Sequence, residues 1–339
     1  MRDTRRPPWR PVDRTRRFTV DAGEDGRLDT LIARRLDLSR TRAATLIATG
    51  RVRAGGRAEK ASFHPEAGTE VEVEMPQPEA HPLVGEDIPL VIVHEDDDLL
   101  VVDKPAGMVV HPAPGNWTGT LVNALKGRAK PLADGSGEAR AGLVHRLDKN
   151  TSGLLVVAKT DRAHRALAKA IAERRVSRRY AALCWGHLAR EEVTVDRPIA
   201  RDTKDRKRMA IALAGRAART DFVRLARFES CDLLRAQLHS GRTHQIRVHL
   251  ASIGHPVVGD ETYGAGGGGA RRVVAMPPKR QFLHAAWLIF AHPVTGVMLD
   301  LRSPLPEDLR NSLIAVAGMP ELIAHPDPLE YLGFYRVDV

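Results

Sequence analysis

Apolar residues in this chain gather in short unbroken runs more than in helical stripes. Leu90–Val93, Leu99–Val102 and Leu154–Ala158 each read as a strand, the last as one buried on both faces. The first two are joined across Glu95-Asp96-Asp97-Asp98, an acidic turn. Tyr180–Trp185 predicts another strand, and further strand patterns fall at 219–226, 232–239 and 282–290. Helical spacing is rarer. A short helix is expected from Thr118 to Lys126. A second, capped by Asp161, carries Ala163, Leu167, Ala170 and Ile171 and runs out in Arg174-Arg175, cations suited to the negative end of its dipole. A third, capped by Thr243, has Ile246, Leu250 and Ile253 as its core stripe, with Arg247 on another face beside His244. Many strands with few intervening helices predict an α+β domain over 89–318, built on a mixed, largely antiparallel central sheet. Residues 319–339 are expected to be a C-terminal tail.

Residues 18–75 predict a separate, smaller α/β unit. Leu28, Leu31, Ile32 and Leu36 form one helical stripe. Ser39 is placed to cap a second helix, which carries Ala43, Ala44, Leu46 and Ile47 and is closed by Gly50. Val52 and Val71-Glu72-Val73 supply short strands around the Gly55-Gly56 turn. Arg40, Arg42, Arg51 and Arg53 lie on or beside these helices. The helix–helix–GRV order resembles an S4 RNA-binding module, which implies phosphate contacts by those four arginines. Residues 76–88 read as a linker and 1–17 as a disordered basic arm. The Gly-rich stretch 264–272 reads as a mobile loop.

Composition narrows the partner. The 339 residues carry a formal net charge of +10, which points to a polyanion, nucleic acid before membrane. No apolar run approaches a membrane span, and the Arg pair near the N-terminus has no hydrophobic region behind it, so a cytoplasmic protein is expected. Cys184 and Cys231 have neither disulfide nor metal spacing and read as small core residues of a reducing compartment. His239, His244, His249 and His255 match no ligand pattern, so no metal is expected.

The densest chemistry lies at 142–160, GLVHRLDKNTSGLLVVAKT. Asp148 stands in a polar turn among His145, Arg146 and Lys149, directly before the Leu154–Ala158 run. Cationic neighbours favour an ionised carboxylate, and an ionised carboxylate on the lip of a rigid strand can serve as nucleophile or base. An Asp in such a turn also serves to cap it, and local chemistry leaves both roles open.

HRLD-x-x-TSGLL-x-x-AK resembles the signature of the RluA-type pseudouridine synthases. Four further stretches are similar to that family's elements, in its order. They are DKPAG at 103–107 with VHP at 110–112, GRTHQIRVHL at 241–250, GD-x-x-YG at 259–264, and LHA at 283–285 with His292-Pro293. The related small-subunit type usually has Gly where this chain has His145. The resemblance implies an isomerase that breaks the N1–C1′ bond of uridine, turns the base and joins C5 to C1′. No cofactor is implied, and the sequence holds no P-loop or dinucleotide fingerprint. It further implies that Asp148 is the catalytic residue, Arg247 its ion-pair partner and Tyr180 the ring that stacks on the target base. Arg146 is placed to fill the gap left when that base is flipped out. The implied partner is RNA, large-subunit (23S) ribosomal RNA before transfer RNA. A non-catalytic ribosome-assembly factor is the competing class. A monomer is expected, since no interaction helix stands out.

Overall fold

The computed structural model describes residues 15–75, 82–113, 115–128, 130, 132–133, 142–205, 208–264 and 274–336. These fall into two compact units that divide between residues 81 and 82. In the first unit, β1 (Thr15–Thr19), α1 (Leu28–Arg35), α2 (Arg40–Ala48), β2 (Val52–Ala54) and β3 (Glu70–Glu74) follow in order. The strands pair antiparallel as β1-β3-β2. Both helices turn their apolar positions inward: Leu28, Ile32, Ala43, Leu46 and Ile47 pack on Val52, Val71 and Val73. Ser39 caps α2 by accepting from the Arg42 amide. The expected arm boundary at 17 needs correction, because residues 15–17 already belong to β1. Alternation of charge and threonine around Phe18 hid a strand that only its pairing with Val71-Glu72-Val73 makes evident.

The second unit contains β4 (Val91–Glu95), β5 (Leu99–Lys104), α3 (Leu121–Gly127), β6 (Ser152–Ala158), α4 (Asp161–Ala172) and β7 (Ser177–Trp185). Next come β8 (Glu192–Asp196), β9 (Ile199–Arg201), β10 (Met209–Ile211), β11 (Arg219–Arg227) and β12 (Cys231–Leu238). The chain continues through α5 (Gln245–Ser252), β13 (Leu283–Ala291), β14 (Met298–Arg302), α6 (Glu307–Ala317), α7 (Pro320–Ala324) and α8 (Pro328–Tyr331). Among the described residues nine strands form one sheet in the order β4-β5-β6-β13-β7-β12-β11-β8, with β14 also on β13. The β6–β13 pair is parallel and the other pairs of this sheet are antiparallel, giving the mixed α+β sheet expected.

Strand β6 is the axis of the sheet, and all seven of its residues are buried. Leu155 and Val157 face Leu121 and Leu125 of α3, while Leu154, Val156 and Ala158 face Ala163 and Leu167 of α4. Two covered faces explain an unbroken apolar run where a half-exposed strand would alternate. Gly153 has φ +110°, and a Cβ there would lie 2.4 Å from the Ala285 carbonyl oxygen. Glycine is therefore what lets β13 approach β6 beside the Asp148 turn.

Several expected boundaries are corrected. Thr160 caps α4 through its hydroxyl and Asp161 is the first helical residue. Thr243 does not cap α5. The capping position is His244, in the left-handed region at φ 56°, without a side-chain capping bond. Residues 82–88 belong to the second unit: Glu86 accepts from the Gly119 amide, and Asn123 donates to the Val84 carbonyl. The expected tail from 319 is folded, because Phe334 and Tyr335 are buried against Trp287. Residues 1–14 of the arm, 76–81 of the linker and 265–272 of the Gly-rich stretch lie outside the described residues.

Candidate active site

Asp148 sits on a turn that is clamped from several directions. Its own carbonyl accepts from the Thr151 amide. The Lys104 ammonium, fully buried, donates to the carbonyls of Pro105 (2.7 Å), Met108 (2.9 Å) and Lys149 (3.2 Å). Burial, reinforced by the charge of Arg280, pushes Lys104 down to about 7, and Asp148 and Asp103 pull it back up. Three carbonyl acceptors match the three protons of its charged form. Arg280 donates to the Asn150 carbonyl (2.5 Å) and to the Ser152 hydroxyl (2.6 Å) while pairing with Asp308 (2.8 Å). Ser152 hydrogen-bonds His284 Nδ1 (2.9 Å), and Gln281 donates to Thr151 (3.1 Å). The DKPAG and LHA stretches thus brace the turn that carries the acid.

The acid's partner comes from α5. Arg247 Nη1 donates to Asp148 Oδ2 at 3.2 Å, while Nε and Nη2 grip Asp260 at 2.6 and 2.9 Å. Asp148 and Arg247 side chains are 15% and 7% exposed, and Asp260 is sealed. Burial works against the Arg247 charge, but Asp260 and then Asp148 outweigh it and raise its pKa. Asp260 also accepts from the amides of Thr262 and Tyr263. Asp260 therefore both closes its own turn and holds Arg247. Tyr263 lies under the guanidinium, 5.1 Å from ring centre to Cζ. Its hydroxyl accepts from the Met209 amide (2.8 Å) and shares a hydrogen bond with His244 Nδ1 (2.9 Å). Burial lowers the His244 pKa, so the ring is neutral at pH 7.

The structure brings the expected site residues of the second unit together. Arg146, Asp148, Tyr180, His244 and Arg247 line one cavity of about 40 Å³ with Leu238, Ile246 and Leu283. Tyr180 is 4% exposed, and burial pushes its phenol up to about 12, so it stays protonated. Arg146 is exposed at the rim. His145 accepts the Val156 amide on Nε2 at 3.1 Å, which ties the turn to strand β6. A cavity of 170 Å³, lined by Lys149, Asn150, Thr262 and Lys279 among others, also reaches Asp148 and Arg247.

Lys104, Asp260, Tyr263 and Arg280 carry more of the site than sequence reasoning assigned them. Each stands in or beside a quoted motif, and that adjacency was the available signal. The three remaining histidine candidates disperse: His239 meets Asp221, His249 meets Thr220 and the Arg197 carbonyl, and His255 meets the Trp185 carbonyl. Among the described residues no three His, Cys, Asp or Glu side chains gather as a metal site.

The four arginine candidates of the first unit are described within that unit. Arg40 Nε pairs with Asp29 (3.0 Å) and Arg51 with Glu74 (3.2 Å). Burial favours the protonated form of Asp29, yet Arg27 and Arg40 overcome it and hold the carboxyl down at about 2. Arg53 donates to the Gly56 carbonyl at 3.4 Å, and Arg42 is exposed.

Comparison with known proteins places this arrangement. The family described as RNA pseudouridylate synthase matches residues 98–252. A Bacillus subtilis (strain 168) protein named "Uncharacterized RNA pseudouridine synthase YlyB" is 45% identical over 273 residues, 80% of this chain and 88% of that one. A Zymomonas mobilis protein named "Ribosomal large subunit pseudouridine synthase D" is 43% identical over 292 residues, 84% of this chain and 91% of its own. Among solved structures, "Human RNA Pseudouridylate Synthase Domain Containing 1" superposes with TM-score 0.54 at 29% identity, covering 72% of this chain and 98% of the human one.

Proposed function

The chain belongs to the RluA-type RNA pseudouridine synthases, which are isomerases, and we propose that it acts on uridines of large-subunit ribosomal RNA with Asp148 as its catalytic carboxylate. The observation that carries the assignment of Asp148 is its 3.2 Å contact with an Arg247 already locked by Asp260. A carboxylate so held faces a fixed cation and has little freedom to turn away. It serves either as nucleophile at the nucleoside or as base toward a sugar proton, and both require the charge.

The reaction is internally balanced. The N1–C1′ bond breaks, the uracil turns, C5 bonds to C1′, the proton on C5 leaves and N1 gains one. The target base is first unstacked, at a cost of a few kcal/mol, and Arg146 at the rim is placed to occupy the vacated space. Tyr180, neutral and apolar-backed, offers the flipped base a stacking face. Arg40, Arg42, Arg51 and Arg53 of the first unit, whose element order resembles an S4 module, add phosphate contacts that position the RNA without reading sequence. The large-subunit target follows from relatives whose names state it. The protein works as a cytoplasmic monomer. Among the described residues no helix is long and apolar enough to cross a membrane.

Unmodified ribosomal and transfer RNA, treated separately with the wild type and with Asp148→Asn, are mapped by carbodiimide-dependent primer-extension stops. Stops in the large-subunit RNA with the wild type and none with the variant are expected. Stops in transfer RNA alone would move the target. Binding without any stop would favour the assembly-factor reading.

A further inference from the structure

A separate cavity of about 360 Å³ also reaches Asp148, and its walls include His145, Arg146, Arg178, Gly241 and Arg242. Arg178 stands two residues before Tyr180 on β7, so strand alternation puts the two side chains on the same face of the sheet. Arg179, between them, points the other way and lies over Trp287, 4.2 Å from its ring centre. Arg178 is only 5% exposed, and its Nε has no hydrogen-bond partner among the described residues. No described carboxylate forms an ion pair with it, whereas Arg247 is shared by two.

A second donor on the same cavity is also uncompensated. Because His145 Nε2 accepts the Val156 amide, its ring proton sits on Nδ1, and that atom is buried without a partner among the described residues. A buried guanidinium with no anion costs several kcal/mol, and native structures seldom leave such groups unmatched. Gly241 keeps the neighbourhood open: a Cβ at that position would stand 3.1 Å from Arg178 Nη1. With Arg146 and Arg242 on the walls, three guanidinium groups surround one empty volume beside the reactive carboxylate.

We propose that this cavity is a phosphate site in which Arg178, assisted by Arg146, Arg242 and His145, grips one phosphodiester of the RNA backbone next to the target nucleotide. The inference rests on the reading of Asp148 as the place where the target ribose sits. A planar guanidinium offers two parallel N–H donors that match two phosphate oxygens, and a desolvated setting strengthens the pair. Sharing Asp148 as a wall puts the gripped phosphate close to the sugar on which chemistry occurs. Arg178 is thus a positioning residue, whose loss is felt in binding.

The test uses the full chain and a fluorescent five-nucleotide oligouridylate, with affinity followed across a KCl series. Arg178→Met is expected to weaken binding by roughly 10- to 100-fold and to reduce the salt slope by about 0.7. Arg178→Lys should regain part of the affinity, and Arg165→Met on exposed α4 should stay at the wild-type value. On large-subunit RNA, KM should rise with kcat nearly kept. Competition by the dinucleotide UpU against its uncharged methylphosphonate analogue, on the wild type alone, requires no variant to fold, and UpU should compete better. Equal competition by the two, or wild-type affinity and slope in Arg178→Met, would overturn the site. A wild type that shows the Arg178-dependent binding yet makes no pseudouridine would sink the ribosomal RNA reading and leave the phosphate site standing.

Discussion

Arg40 and Arg51 of the first unit stand at the surface beside carboxylates, whereas Arg247 and Arg178, near Asp148, are buried. Arg40 and Arg51 pair with Asp29 and Glu74 at 3.0 and 3.2 Å while their own side chains remain 60% and 39% exposed. Such pairs contribute about 0–1 kcal/mol each. Arg247 and Arg178 are 6% and 5% exposed, and burial of that kind is tolerated only where an anion answers it. For Arg247 the anions are built in. For Arg178 the described protein supplies none, and the substrate is a polyanion. The same residue type is therefore exposed in one unit and, in the other, buried beside Asp148, where it sets the site's geometry.

The largest test of that contrast is Arg247→Met. It leaves Asp260 sealed without its cation, a loss of about 3–5 kcal/mol, which corresponds to a fall in melting temperature of roughly 10 °C for a unit of this size. Pseudouridine formation should fall with it. Adding Asp260→Asn should recover part of the stability without restoring activity. Additive losses in calorimetry would show that the two residues are not one unit.

A middle-sized effect is expected at His145, which burial, helped by Arg178, depresses to about 3. The unfolded chain then binds one more proton than the fold at any pH between about 3 and the ordinary histidine value. Stability from this group is complete above that value and is lost as pH falls toward 3. His145→Gln, which keeps an acceptor for the Val156 amide, should reduce the drop in melting temperature between pH 7 and pH 4. An unchanged drop would place the acid sensitivity elsewhere.

The smallest effects belong to the first unit. Arg42→Ala and Arg53→Ala should shift stability by no more than about 0.5 kcal/mol while each lowers the salt dependence of RNA binding. A melting temperature that fell as far as with Arg247→Met would erase the distinction between the two sets.

Much of this was legible in the chain. The runs at 99–102 and 154–158 became the buried strands β5 and β6, since a strand covered on both faces needs no polar alternation. The turn at 145–152 was recognisable because turn residues and cations interrupt that pattern just before it. Less visible were contacts between distant segments. Lys104 looks like any exposed lysine in a turn until β5, the 105–108 turn and Lys149 close around it. Phe334 and Tyr335 looked like a tail because their partner, Trp287, lies on β13. The cap of α4 was misplaced by one residue, as Thr160 and Asp161 are both good capping types and only backbone angles choose between them.

By itself, the sequence determined the buried strands, the α+β class and the acid at the lip of β6, because hydrophobic period and turn chemistry are local properties. Tertiary structure alone decided that Arg247, 99 residues from Asp148, is divided between two carboxylates, and that Arg178 is left facing an empty cavity. Charge pairing depends on where the sheet brings distant strands and helices together, and periodicity along the chain carries no record of that distance.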